Sequence, residues 1–143
     1  IVWGGGAFAE VFNTGARYNP FSDTWTATST INAPDGRRAP AVVWTGDEMV
    51  VWGGEIYTGG TSNTGGKYNP GTDSWTATST VSAPTGREAH AAVWTGSEMI
   101  VWGGNSNTGG RYNPSADTWT PTSTINAPPS RRWHTAVWTG SEM

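Results

Sequence analysis

Cysteine is absent from this chain of 143 residues, and with it go disulfides, thiolate metal sites and cysteine nucleophiles. Charge is scarce: Asp, Glu, Lys and Arg make up 13%, the net charge is −3, and no run of Lys or Arg occurs. Such a surface does not suit nucleic acid or an acidic membrane as the principal partner. No apolar stretch approaches the roughly 20 residues that span a bilayer, and no signal-peptide pattern is visible. No Asn-X-Ser/Thr acceptor for N-glycosylation is present. With no initiator Met, the chain reads as a fragment or a processed product. Hydrophobic residues, at 35%, fall below ordinary globular usage.

What replaces them is 20 Gly, nine Pro and much Thr, Ser and Asn, together with ten Trp, four Tyr and three Phe. Disordered chains are poor in aromatic rings, so this mixture of turn formers and large rings predicts an all-β chain of many short strands. The rings are periodic. Trp3, Trp52 and Trp102 each precede Gly-Gly; Tyr18, Tyr68 and Tyr112 each sit in [RK]YNP; Trp25, Trp75 and Trp119 each follow D[TS]; Trp44, Trp94 and Trp138 each precede Thr-Gly. Residues 24–49, 74–99 and 118–143 align without gaps, and the first matches each of the others at 18 of 26 positions. The chain is therefore three copies of one phrase: 1–49, 50–99 and 100–143.

Each copy divides into four extended pieces, named A to D. Around the boundary of the first two copies they are AVVW (41–44), MVVWGG (49–54), GGKYN (65–69) and SWTATST (74–80). A tight TGDE turn joins A to B, two Gly end B, and Pro70 stops C because it cannot donate to a ladder. Four short antiparallel strands per repeat predict one blade of a β-propeller, with strand A of each blade supplied by the preceding repeat. Such a blade has no core of its own and buries its faces against its neighbours. That accounts for nine Trp in register, each expected between blades; Trp133 is out of register.

The marks resemble the kelch repeat: a Gly pair after a hydrophobic strand, then Tyr, then Trp. Here they are Gly4-Gly5, Tyr18 and Trp25; Gly53-Gly54, Tyr68 and Trp75; Gly103-Gly104, Tyr112 and Trp119. The family's Arg-x-x-His entry into strand A is matched by Arg87 and His90 and by Arg131 and His134, whereas the first copy has Arg37 and Pro40. The resemblance implies a propeller that acts as a binding scaffold more often than as an enzyme. Kelch-fold copper oxidases use a Cys-crosslinked Tyr, which this chain cannot form. The D[TS]W phrase is similar to the Asp-box of sialidase propellers, but that motif sets Asp further from Trp with a Gly between. Asp23, Asp73 and Asp117 are instead expected to cap the C–D turn through backbone N–H groups.

Propellers close with roughly four to eight blades, and three blades are half of a six-bladed ring. Two copies joined head to tail would close that ring, so a homodimer is expected. The A–B and C–D turns are short and uniform. Length and ring content vary in the B–C and D–A loops, which share the other face. The candidate ligand contacts are therefore Phe8, Glu10, Phe12, Arg38, Tyr57, Glu88, Arg132 and Trp133. Arg37, Arg87 and Arg131 are in register and expected to hold loops by bonding carbonyls. His90 and His134 are expected as satisfied inner-strand residues, a blade apart and unable to share a metal. No catalytic constellation, metal or cofactor is predicted. The expected function is a non-enzymatic scaffold for binding and assembly, with protein or glycan contacts on the loop face. The alternatives are a purely structural or engineered repeat module, a piece of a longer single-chain propeller, and a glycan-acting enzyme. The low-charge, Gly-, Thr- and Trp-rich composition favours an extracellular setting.

Overall fold

The computed structural model describes residues 1–7 and 10–143, so the predicted contact residue Phe8 lies outside the described residues. The chain is all-β, and no helix occurs among the described residues. The first copy forms β1 (Val2–Trp3), β2 (Gly6–Ala7), β3 (Glu10–Val11), β4 (Gly15–Asn19), β5 (Thr24–Ala27) and β6 (Arg37–Arg38). The second sheet's stretch forms β7 (Ala41–Trp44), which the first copy supplies, then β8 (Met49–Trp52), β9 (Glu55–Ile56), β10 (Gly65–Asn69) and β11 (Ser74–Ala77). The third sheet's stretch forms β12 (His90–Trp94), which the second copy supplies, then β13 (Met99–Gly103), β14 (Gly109–Asn113) and β15 (Thr118–Pro121).

These strands make three antiparallel meanders. The second sheet runs β7-β8-β10-β11 and the third β12-β13-β14-β15, while the first has only three strands, β1-β4-β5. The residues explain the pieces. β8 is Met-Val-Val-Trp, buried throughout, as a β-branched and aromatic strand sandwiched on both faces should be. It ends where Gly53 takes φ +72°, and a Cβ there would lie 2.7 Å from the His90 ring and 2.9 Å from the Arg87 carbonyl. Only glycine meets both demands. In β10, Gly66 admits the Pro34 ring, which would stand 2.7 Å from an added Cβ.

Neighbouring sheets stack face to face, and their cores lie between sheets. Ala41, Val43, Val50 and Trp52 pack against Met99, Val101, Tyr112 and Trp119 of the third sheet. Met49, Val51, Tyr68 and Trp75 pack against Trp3 of the first. Trp52 and Trp119 stand with ring centroids 5.1 Å apart, and Trp3 and Trp75 repeat the pair at 5.2 Å. Burial on the order of 150–250 Å² per ring makes such pairs the main apolar contribution at each junction.

Three expectations need correction. Strand D ends at Ala77 rather than Thr80: Thr78 N–H still bonds Gly65 O, but Ser79 turns to the next sheet, bonding Asp117 and Trp119. Not every in-register Trp is buried: Trp25 and Trp44 are exposed, since both face the side on which the first sheet lacks a neighbour or a fourth strand. The B–C and D–A segments are not plain loops. β2 pairs with β3, β6 pairs with β9, and Ser106 bridges to Arg131.

Candidate functional site

The strongest polar chemistry of the molecule sits at the junctions between sheets. Each junction carries the same set of bonds. Arg37 is fully buried; its Nε donates to Asp35 O (2.9 Å), Nη1 to Gly53 O (2.9 Å) and Thr64 O (2.8 Å), and Nη2 to Thr64 Oγ1 (3.1 Å). Arg87 repeats this one repeat later, Nη1 donating to Gly103 O (2.8 Å) and Thr108 O (2.7 Å) and Nη2 to Thr108 Oγ1 (3.0 Å). Burial lowers the pKa of both guanidiniums from the ordinary arginine value. A guanidinium has five donors in a planar fork, which lets one buried side chain bind several main-chain oxygens of the next sheet.

A second latch is built from Asp, Tyr, Trp and Ser. Asp73 Oδ1 accepts from Tyr68 Oη (2.6 Å) and from Ser29 N–H of the preceding sheet (2.9 Å), while Trp75 Nε1 donates to Ser29 O (2.9 Å). Asp117, Tyr112, Trp119 and Ser79 reproduce it at 2.8, 2.6 and 3.0 Å. Burial, then the Asp73 bond, push the Tyr68 hydroxyl up to about 12. Tyr112 is raised in the same way by burial and by Asp117. The Tyr68 hydroxyl and the Ser29 N–H hold the Asp73 carboxyl below its usual range. Burial pushes Asp117 up, but the Tyr112 hydroxyl and Ser79 N–H outweigh it and the carboxyl is lowered. A third contact runs from Lys67 Nζ to Pro114 O (2.9 Å), and from Arg17 to Pro70 O.

These Asp residues were expected to cap the C–D turn. They do not: Asn69 Oδ1 does so, accepting from Gly71 N–H (2.8 Å) and Thr72 N–H (3.2 Å), and Asn19 and Asn113 act alike. The short Asn side chain sits at the turn start and reaches two residues on, whereas Asp, at φ 51–53°, points across to the neighbouring sheet. Serine 29 and 79 and the [RK] before Tyr were not singled out by the sequence reading. Their recurrence in register was the available signal.

At the two ends the same groups stand unmatched. Trp25 is 60% exposed where Trp75 and Trp119 are 4% and 5%. Asp23 Oδ1 accepts from Tyr18 Oη (2.7 Å), as its counterparts do from their tyrosines, but no preceding sheet offers a serine. At the other end Arg131 is exposed and donates to Pro129 O (3.1 Å), and Arg111 turns to Glu98 (3.6 Å).

The predicted contact residues fall in two groups on the B–C and D–A side. Glu10 is exposed on β3 and its carbonyl accepts from Arg38 Nη2 (3.2 Å). Phe12 donates its N–H to Gly5 O (2.8 Å) and accepts from Arg37 N–H (3.3 Å). Arg38 pairs with Glu55 across β6 and β9, close to exposed Tyr57. In the second group, Glu88 precedes Ala89, whose carbonyl accepts the Trp133 N–H at 3.0 Å. Arg132 and Trp133 are exposed, and Trp133 holds φ 58°, a left-handed conformation that a bulky residue takes only under constraint. Trp133→Gly should therefore raise stability, by about 1 kcal/mol, with unchanged mass in solution; urea unfolding and light scattering check both.

His90 lies edge-on to Trp52 at 5.3 Å and 82°, and His134 to Trp102 at 5.3 Å and 84°. His90 is not satisfied as expected: both ring nitrogens are buried and meet no hydrogen-bond partner among the described residues. Burial, with Arg87 and His134 adding to it, lowers its pKa to about 4. No group of three His, Asp or Glu able to hold a metal occurs among the described residues. No protein-family model matches the chain, and no curated protein matches it.

Proposed function

We propose that the three sheets are kelch-like blades of a β-propeller, and that the chain is a non-enzymatic scaffold whose work is assembly and contact. Two copies join head to tail into a six-bladed ring. The observation that carries this reading is the complementarity of the two open faces. Two internal junctions use one set of bonds. The third sheet offers one half of that set: the Arg111 and Arg131 side chains and the main-chain N–H and O of Ser123. The first sheet offers the matching half: Pro20, Asp23 with Trp25, and Gly4 with Thr14. Trp102 and Trp25 are likewise the unmatched members of the Trp pairs seen at 5.1 and 5.2 Å. Two copies bring six blades, within the roughly four to eight that close; three copies bring nine, outside it.

The contact surface for a protein or glycan is the B–C and D–A side, where Tyr57 and Trp133 project large rings beside Arg132 and Arg38. The aggressive polar groups elsewhere are consumed by the junctions, which favours a scaffold over catalysis. The ring reading is tested by absolute mass in solution. Twice the 15.1 kDa of the chain is expected; a monomer or an open-ended series of masses overturns it.

A further inference from the structure

We infer that the cleft between the second and third sheets, on the side of the A–B and C–D turns, binds a neutral sugar ring. The cleft encloses about 390 Å³ and is bordered by Asp47, Glu48, Trp94, Ser97, Asn113 and Pro114. A space of that order takes one small ligand. Both walls belong to four-stranded sheets, so the site is complete within one chain and does not rest on the ring reading. It lies at the other end of the strands from Tyr57 and Trp133.

Its polar groups are held in place. Thr45 Oγ1 accepts from the N–H groups of Asp47 (3.3 Å) and Glu48 (2.9 Å), and the Thr45 N–H donates to Glu48 O (3.0 Å). The turn that carries both carboxylates is thereby fixed. Neither carboxylate makes an ion pair or hydrogen bond among the described residues. Glu98, the counterpart of Glu48 in the next turn, pairs with Arg111 (3.6 Å), whereas Lys67, in the register of Arg111, reaches instead to Pro114 O (2.9 Å). Asn113 Oδ1 accepts from the Ser115 and Ala116 N–H groups (both 3.0 Å), which leaves Nδ2 as its open donor.

Charge decides the class of ligand. Two carboxylates repel an anion, and the Lys67 ammonium on the Pro114 carbonyl offsets part of their pull on a cation. Hydroxyl groups suit them best: an O–H donating to a carboxylate makes a short, strong bond, and a neighbouring hydroxyl oxygen can accept from the Asn113 amide. The one large ring is Trp94, half-buried and packed on the cluster of Ala41 and Val43. A sugar presents a C–H face that matches the negative face of an indole, with hydroxyls around its edge. Because the core already holds Trp94, stacking on it costs little ordering. Asp47 makes the site particular to this junction, since the turns at 95–98 and 139–142 read TGSE where this one reads TGDE.

The isotope-labelled chain is titrated with the methyl pyranosides of glucose, galactose, mannose, xylose, fucose and N-acetylglucosamine, and the Trp94 indole N–H is followed by NMR. At least one sugar should shift that signal with a Kd of about 1–10 mM, as one ring contact and a few partly solvated hydrogen bonds provide. Asp47→Ser gives the turn the sequence of its neighbours and breaks no internal bond, so its urea midpoint should match the parent's. It should weaken the sugar about tenfold, because a charged acceptor is lost. No shift at Trp94 with any of these sugars overturns the site, and so does equal affinity in Asp47→Ser. Shifts confined to Tyr57 and Trp133 also overturn it, while supporting the contact surface at the other end of the strands. Methylguanidinium, titrated alongside, should bind more weakly than the best sugar; tighter binding would make the cleft a cation site and overturn the sugar.

Discussion

Replacing Arg87 by alanine lowers the stability of the folded chain by about 3 kcal/mol, read from urea unfolding. The side chain is buried and bonds Gly103 O, Thr108 O and Thr108 Oγ1 of the next sheet. Thr108 O keeps the Gly103 N–H, but Gly103 O loses its guanidinium donor, and a cavity opens between sheets. Lysine is a poor substitute, for it lacks the planar fork and sheds its proton readily when buried. Arg131→Ala is the internal control. The same residue type in the same register is exposed there, so the chain should change by less than about 0.5 kcal/mol. A cost below about 1 kcal/mol for Arg87→Ala would mean that the guanidinium does not join the sheets.

Mild acid is the second large effect. His90 is held neutral, with a folded pKa of about 4 against an ordinary 6.5. The unfolded chain therefore binds more protons between those values, so stability is complete above pH 6.5 and falls as pH drops toward 4. At about 1.4 kcal/mol per pH unit, the loss is on the order of 3 kcal/mol. The Arg87 guanidinium and His134, which face the ring, act in the same direction. Asp73 and Asp117, also lowered, add a further loss only below the ordinary carboxylate range. Urea midpoints at pH 7.5 and 4.5 measure the slope. His90→Phe keeps a ring against Trp52 and should flatten it; an unchanged slope would place its source elsewhere.

Backbone ranges were legible where residue type alone decides them. AVVW and GGKYN begin and end where β7 and β10 do, whereas MVVWGG overruns β8, which stops at Trp52 because its two glycines take positive φ. The partners of polar side chains were not. Asp73 and Asn69 are both short, polar and close to the same turn, and nothing local says that Asn closes it while Asp reaches 44 residues back to Ser29. That choice is made by the neighbouring sheet. Trp44 shows the same limit: its position in the repeat equals that of Trp94, yet it is exposed, because what covers it is not its own sheet. For the contact face, sequence variation marked Tyr57 and Trp133 as unusual. It did not show that β6 and β9 pair beside Tyr57, since two-residue strands carry no periodic signal.

Most acceptors at the junctions are main-chain carbonyls: Gly53 O, Thr64 O, Pro70 O and Ser29 O, then Gly103 O, Thr108 O, Pro114 O and Ser79 O. A carbonyl is the same whatever side chain it belongs to. Each unit thus recognises its neighbour by a feature that point mutation cannot erase, and the genetic burden of fidelity falls on a few donors. Units of this kind can be duplicated, lost or shuffled, and can drift apart on their outward surfaces, without relearning how to stand beside one another.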